Sequence, residues 1–329
     1  MRIRLDYHSL AKFARRVGFY AGNFLKYYMP SSLFRAWHRF RVSRLSPEEL
    51  RYARERVDYY VKLGPDAALD PAEAVKVKDF KFPWHKKHRF SGYFFDLFRL
   101  VRVGRPDDEF NYLFGDIDYE TPSAAFVKSR PVADDRPTRS ALVKLDSIRH
   151  FAFISDKVPY SAKQPRLVFR NVVRNQPHRT EFLRLYHNHP LCDAGQVNDD
   201  AYVTDRAYIK GYLSVEQQLQ YKFIATIEGH DVATNLKWVM SSNSIAVMPR
   251  PKIESWFMEG SLVGGYHYIE IRPDYTDLPE KLQYYIDHPD EAEAIIRHAH
   301  EYVEQFRHRS RELMIGRMVA ERYLALLNK

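Results

Sequence analysis

Tyr221-Lys222-Phe223-Ile224-Ala225-Thr226-Ile227-Glu228-Gly229-His230-Asp231-Val232-Ala233-Thr234-Asn235-Leu236-Lys237-Trp238 is a β-branched and aromatic run that meets a glycine and continues as a helical pattern. Tyr221–Glu228 has strand composition, and Val232–Met240 has helix spacing. Similar alternation surrounds it. Arg166–Arg170, Ser244–Met248 and His267–Ile271 read as strands, and Glu254–Leu262, Leu278–Ile286 and Glu291–Phe306 as helices, the last two parted by Pro289. This rhythm predicts a Rossmann-like parallel sheet with crossover helices, from about residue 163 to 305. Such sheets bind ligands beyond the carboxyl ends of their strands. The loops near 170–180, 229–235 and 249–259 are therefore the places to look. A glycine where strand becomes helix either offers free N–H groups to a phosphate or simply permits the turn. Lys237, a turn and a half later, could reinforce the phosphate reading.

The chain has 329 residues, 45% of them hydrophobic, enough for two cores. Its single cysteine, Cys192, leaves no intrachain disulfide and makes a reducing cytosol the simplest home. The +9 net charge is local. Ten of the 51 Lys and Arg, but one of the 42 Asp and Glu, fall in residues 1–45. The remainder carries 41 of each sign and is neutral, which argues against a nucleic-acid binder.

Within that basic segment Leu10, Phe13, Val17, Tyr20, Phe24 and Tyr27 recur at helical spacing, with Lys12, Arg15, Arg16 and Lys26 between them. Such a helix can rest among anionic headgroups, or pack on the body with its basic face solvated. Charges interrupt every window of about 20 residues that a membrane span needs. Val17–Leu25 is short for a signal peptide, contains Asn23 and lacks a small-x-small cleavage site.

Ser46-Pro47-Glu48-Glu49 opens a helix over 46–62 that Gly64-Pro65 ends. Asn111–Phe114 reads as a strand feeding Gly115-Asp116-Ile117-Asp118. The Asp-x-Asp triplet has three readings: a divalent-cation grip on a diphosphate, a general base for an acceptor hydroxyl, or a loop cap. The 14 histidines form no zinc-ligand pattern with cysteine. Arg170, Arg174 and Arg179 follow the 166–170 strand and could neutralise a departing diphosphate. Trp84-His85-Lys86-Lys87-His88-Arg89-Phe90 could meet a phosphorylated acceptor or be a solvated turn.

Taken in order, these residues resemble glycosyltransferase family 90, and within it the bacterial lipopolysaccharide A protein type. The 221–238 run carries most of the likeness. It continues in Ser242-Asn243-Ser244, Met248-Pro249, Trp256-Phe257-Met258-Glu259, His267-Tyr268-Ile269-Glu270 and Asp277-Leu278. Upstream it includes Gly115-Asp116, Lys128-Ser129-Arg130-Pro131, Arg149-His150-Phe151 and Phe169-Arg170.

The resemblance implies a GT-B-like α/β fold of two Rossmann-like domains, at 46–162 and 163–305. The basic segment 1–45 precedes them, and a C-terminal helix in 306–329 returns to the first. It implies an inverting, metal-independent transfer of a hexose, glucose or galactose, from a UDP-sugar to a lipopolysaccharide-type core. No cofactor is expected. The expected partners are the nucleotide-sugar donor, a lipid-linked saccharide acceptor and an anionic membrane surface, with the enzyme peripheral on the cytoplasmic face. Asp116 or Asp118 would be the base. Donor contacts would fall on Arg170, Arg174, Gly229, His230, Asn235, Lys237, Ser242 and Glu259. The sequence departs from eukaryotic relatives at Arg170-Asn171, where they have arginine-glycine, and at Asn235, where they have arginine. That would pass the phosphate role to Lys237 or Arg174. The alternatives are another sugar or acceptor (xylose, capsule or protein), or a non-catalytic membrane-associated binding protein.

Overall fold

The structure, a computed structural model, describes residues 7–82 and 90–328, with the side chains of residues 7–13 and 15 outside the described set. Trp84–Arg89 of the cationic aromatic run therefore lies outside the described residues. The chain divides into two compact units, one of residues 1–151 and 309–329, the other of residues 152–308.

The first unit begins with α1 (Tyr7–Tyr27), α2 (Ser31–Ser43) and α3 (Pro47–Tyr60). Ser46 and Glu49 cap α3 reciprocally, as a serine three residues before a glutamate allows. Next come β1 (Val75–Lys76), α4 (Ser91–Val101), β2 (Glu109–Phe110), β3 (Ala125–Val127), β4 (Ser129–Pro131), β5 (Ser140–Leu142) and α5 (Ser147–His150). The strand expected over Asn111–Phe114 is shifted to β2, with Tyr112 making one isolated bridge to Phe126. Tyr112 and Phe114 pack with Phe80, Phe90 and Tyr93 instead. Strands here are two or three residues long, shorter than a Rossmann-like first domain predicts.

The stripe expected on α1 is split. Tyr20 donates to or accepts from Ser91 Oγ at 2.9 Å and meets Phe95 edge-on, and Tyr27 packs on Phe94 and Phe98. Val17 and Phe24, on the adjoining flank, are exposed. The side chains of Leu10 and Phe13 are outside the described residues.

The second unit is built on five parallel strands: β6 (Gln164–Asn171), β7 (Cys192–Gln196), β8 (Tyr221–Ala225), β9 (Ile245–Met248) and β11 (Ile269–Glu270). Their order in the sheet is β11-β9-β8-β6-β7. Leu167, Phe169, Phe223, Ala225, Ile245, Val247 and Ile269 are almost wholly buried, as a sheet covered on both faces requires. The helices are α6 (Pro177–Tyr186), α7 (Val215–Gln218), α8 (Leu236–Val239), α9 (Leu278–Asp287) and α10 (Pro289–Arg307), and β10 (Ile253–Ser255) lies between β9 and β11.

One expected helix is shortened and another is not formed. Val232–Met240 contracts to the four residues of α8, because Asn235 Nδ2 reaches back to Ala225 O at 3.1 Å and Asp231, Val232 and Ala233 are already buried as irregular chain. Glu254–Leu262 becomes β10 and a short 3₁₀ turn at Glu259–Ser261. The four consecutive buried side chains Glu254–Phe257 have no solvent face to give a helix.

The chain then re-enters the first unit as α11 (Arg309–Leu327), packed on α3 and α4. Arg56 and Glu312 form a buried ion pair at 3.2 Å, and the Tyr323 ring lies 3.9 Å from that of Phe126.

Candidate functional site

The first and third strands of the parallel sheet, β6 and β8, are neighbours, and the connections leaving them run to opposite sides. That reversal is the topological switch point at which open α/β sheets bind ligands. Here the loops leaving β6 and β8 are joined by one side chain. Arg179, on the first turn of α6, is buried and donates to three backbone carbonyls: Val172 at 2.9 Å, and Ile227 and Glu228 at 2.8 Å each. His178 Nε2 is also 2.8 Å from Glu228 O. Among the described residues Arg179 has no carboxylate partner, and burial pushes its guanidinium down to about 10. A buried cation without an anion thus lies under the 228–230 loop.

The Glu228 carboxylate accepts from Lys252 N and Ile253 N at 2.9 and 3.0 Å, tying in the loop after β9. Burial raises this carboxyl above its ordinary value, against those two N–H bonds. The Thr226 hydroxyl, where β8 ends, is buried and has no hydrogen-bond partner among the described residues.

Gly229 and His230 lie in this loop, and His230 is exposed. Gly229 does not open a helix, since α8 starts seven residues later and is a single turn. What the glycine provides is room: a Cβ would sit 3.3 Å from Arg179 Nη2. Arg174 is half-exposed on the loop after β6, with Nε 2.6 Å from Asp200 Oδ2. Asn235 holds the end of β8 through Ala225 O.

Other expected donor contacts are placed differently. Arg170 faces β7, where its guanidinium reaches Asp193 Oδ1 at 2.7 Å. Burial works to raise the Asp193 carboxyl, but hydrogen bonds from Arg170, Tyr221 and Lys210 overcome it and hold it well below the usual carboxylate range. Lys237 is buried, its Nζ 2.6 Å from Glu259 Oε1, and Ser255 N and Oγ also donate to the Glu259 carboxylate. Met258, with φ of 58°, turns the chain so that Glu259 points inward to meet them. Ser242 Oγ donates to Val239 O at 2.6 Å. Lys237, Glu259 and Ser242 therefore form interior supports of the loops.

In the first unit, Gly115 has a φ of +120°, a conformation glycine adopts freely, and it turns the chain so that Asp116 and Asp118 are exposed while Ile117 between them is buried. Asp116 Oδ1 is 2.5 Å from the Nζ of buried Lys128, and Ile117 N donates to Ser129 Oγ. Asp146, with φ of 50°, shares the field of Asp116 and Lys128 and receives Arg149 Nε at 2.8 Å. Burial pushes its carboxyl up, with Arg149 and Lys128 opposing. Asp118 makes no hydrogen bond or ion pair among the described residues. Lys128 and Asp146 were not predicted as site residues. Their signal is the Lys128-Ser129 and Arg149-His150 motifs, each of which ends on this acidic loop. Among the described residues no three His, Cys, Asp or Glu side chains converge as metal ligands.

Comparison with known proteins identifies the family. A model of glycosyl transferase family 90 matches residues 145–314, just over half the chain. The O-glucosyltransferase LpsA of Dichelobacter nodosus is 40% identical over 283 residues, 86% of this chain and 86% of its own. Uncharacterized protein 179R of Invertebrate iridescent virus 6 is 30% identical over 102 residues, which is 29% of this chain and 8% of that protein. The family match takes in the whole parallel sheet, both switch-point loops and the Asp146 turn, and by it the chain is a glycosyltransferase belonging to glycosyl transferase family 90.

Proposed function

We propose that the enzyme transfers glucose, with inversion and without a divalent metal, from UDP-glucose to a hydroxyl of a lipid-linked, lipopolysaccharide-core-type saccharide on the cytoplasmic side of a membrane. The observation that carries the donor half is Arg179. Its buried charge has no carboxylate against it among the described residues, and it underlies the loop where a phosphate-bearing ligand of a parallel sheet belongs. Arg174 and His230 lie on the two adjoining loops and take the diphosphate, and the Thr226 hydroxyl gives a buried polar contact to the same ligand. Glucose is favoured because the LpsA relative is named an O-glucosyltransferase.

The two units take the two substrates in a GT-B manner, the second holding the donor. In the first unit Asp116 serves as general base. A base must be oriented as well as basic, and Lys128 fixes one oxygen of Asp116 while leaving the other. The acceptor hydroxyl loses its proton to Asp116, and its oxygen attacks the anomeric carbon opposite the diphosphate. The bond to the diphosphate oxygen breaks, and the switch-point cations receive the charge. Lysine occupies the place beside Asp116 that a cation would take, which supports metal independence.

The test is hydrolysis and transfer with a panel of nucleotide sugars under excess chelator. Turnover of UDP-glucose above the other donors, unaffected by chelator, is expected. Complete loss restored by Mn²⁺ or Mg²⁺ would overturn the metal-free reading.

A further inference from the structure

The packing of α1 and α2 leaves a second apolar face substantially exposed. Among the described residues, eight of the fifteen exposed large hydrophobic side chains fall between residues 17 and 40: Val17, Phe24, Leu25, Tyr28, Met29, Leu33, Trp37 and Phe40. Such concentration is unlike the scattered apolar exposure of an ordinary surface. Exposure runs from 43% at Met29 to 72% at Leu25.

Spacing shows that this is a face and not a frayed end. Val17, Phe24 and Leu25 on α1, with Tyr28 just past its end, lie at helical spacing on the flank adjoining Tyr20, Asn23 and Tyr27, which pack on the body. On α2, Leu33, Trp37 and Phe40 follow at i, i+4 and i+7, while Phe34 and His38 are buried. Rings pair along the face: Phe24 with Tyr28 at 5.3 Å, Trp37 with Phe40 at 6.0 Å, and the Arg44 guanidinium 5.2 Å from the Phe40 ring. The turn between the helices is fixed. Arg102 donates to Lys26 O, Met29 O and Ser31 Oγ, so Leu25, Tyr28, Met29 and Leu33 are presented together.

Charge identifies the occupant. Residues 7–44 contain no Asp or Glu, and Arg16, Lys26, Arg35, Arg39 and Arg41 on the same two helices, with Arg44 just past α2, accompany the apolar face. The rest of the chain carries no net charge, so the excess positive charge belongs to this segment. Aromatic rings flanked by cations suit the boundary between acyl chains and anionic headgroups. No described helix is long and apolar enough to cross a membrane, so the face would lie along the surface.

We propose that the outer face of the α1–α2 hairpin, Phe24, Leu25, Tyr28, Leu33, Trp37 and Phe40, inserts into the interface of an anionic lipid bilayer and holds the enzyme there. This rests on the proposed lipid-linked acceptor only for its purpose; the surface itself stands on exposure and charge.

The experiment is co-sedimentation of the full chain with vesicles of phosphatidylcholine plus phosphatidylglycerol, and of phosphatidylcholine alone. The comparison is a variant carrying Phe24→Ser, Leu25→Ser, Trp37→Ser and Phe40→Ser. Wild type should bind the anionic vesicles and the variant at least ~10-fold more weakly, with donor hydrolysis unchanged in solution. Trp37 emission should shift blue on anionic vesicles, a shift missing from Trp37→Phe, which serves if the fourfold variant does not fold. Equal binding by wild type and variant, or no blue shift from Trp37, overturns the proposal. So does a dimer in sedimentation that the variant dissolves, if wild type ignores vesicles; the face would then serve a second copy. Absent donor hydrolysis with intact vesicle binding would instead strike the proposed activity and leave this surface standing.

Discussion

Asp116 and Asp118 are two residues apart, both exposed, and differ in one described contact. Lys128 Nζ holds Asp116, and nothing described holds Asp118. A positioned base contributes about 10²–10⁴-fold to transfer. Asp116→Asn should therefore lower the transfer rate by about that factor and leave UDP-glucose affinity within about twofold, because the proton belongs to the acceptor. Asp118→Asn should change either quantity little. Lys128→Met should lower transfer through misorientation, without weakening donor binding. Transfer rate beside donor affinity by calorimetry separates these outcomes. A normal rate in Asp116→Asn with a collapsed rate in Asp118→Asn would reverse the assignment.

Between residue and sheet, Arg179 works as a rivet joining the loop after β6 to the loop after β8. Lysine cannot reach three carbonyls in one plane, since its donors radiate from a single atom. Arg179→Lys should cost about 2 kcal/mol, given hydrogen bonds from a charged donor, and should weaken UDP-glucose binding about tenfold or more. Thermal unfolding and calorimetry measure the two effects, and wild-type donor affinity in a destabilised variant would show the rivet to be structural only. At this scale the sequence was informative where periodicity is strong. The strands β6, β8 and β9 and the helices α9, α10 and α11 were expected close to their observed places. Gly229 marks the end of a strand as expected, but the helix start expected there is not formed. Residues 232–240 and 254–262 misled because polar side chains among them, Lys237, Glu254, Ser255 and Glu259, are buried with the apolar ones, so sequence polarity does not mark a solvent face. Strand β7 was missed: Cys192-Asp193-Ala194-Gly195-Gln196 has none of the β-branched composition that signals a strand, and pairing with β6 supplies its conformation. The pairings Lys237–Glu259 and Arg170–Asp193 are long-range in sequence, so side chains that looked available as ligands proved to be occupied.

For the molecule as a whole, the second unit is one continuous stretch of chain, while the first is assembled from two pieces. Its last piece, α11, buries Ile315, Val319, Ala320, Tyr323 and Leu324 and brings Glu312 to Arg56. A chain ending at His308 should keep a folded second unit and lose the first, because removing one partner of a buried ion pair alone costs about 3–5 kcal/mol. Limited proteolysis read by mass spectrometry should then protect a fragment within 152–308 and digest the rest; protection of residues 47–142 would contradict this. The interrupted first unit also sets a timetable on the ribosome. At roughly 5–20 residues per second, the 152–308 stretch occupies on the order of ten to thirty seconds of translation before α11 exists. Through that interval the nascent first half carries Arg56 without its glutamate and the Phe126 face without Tyr323. The earlier piece of the first unit is thus made before the second unit and completed only after it, and its aromatic segments stay without their α11 partners for that interval.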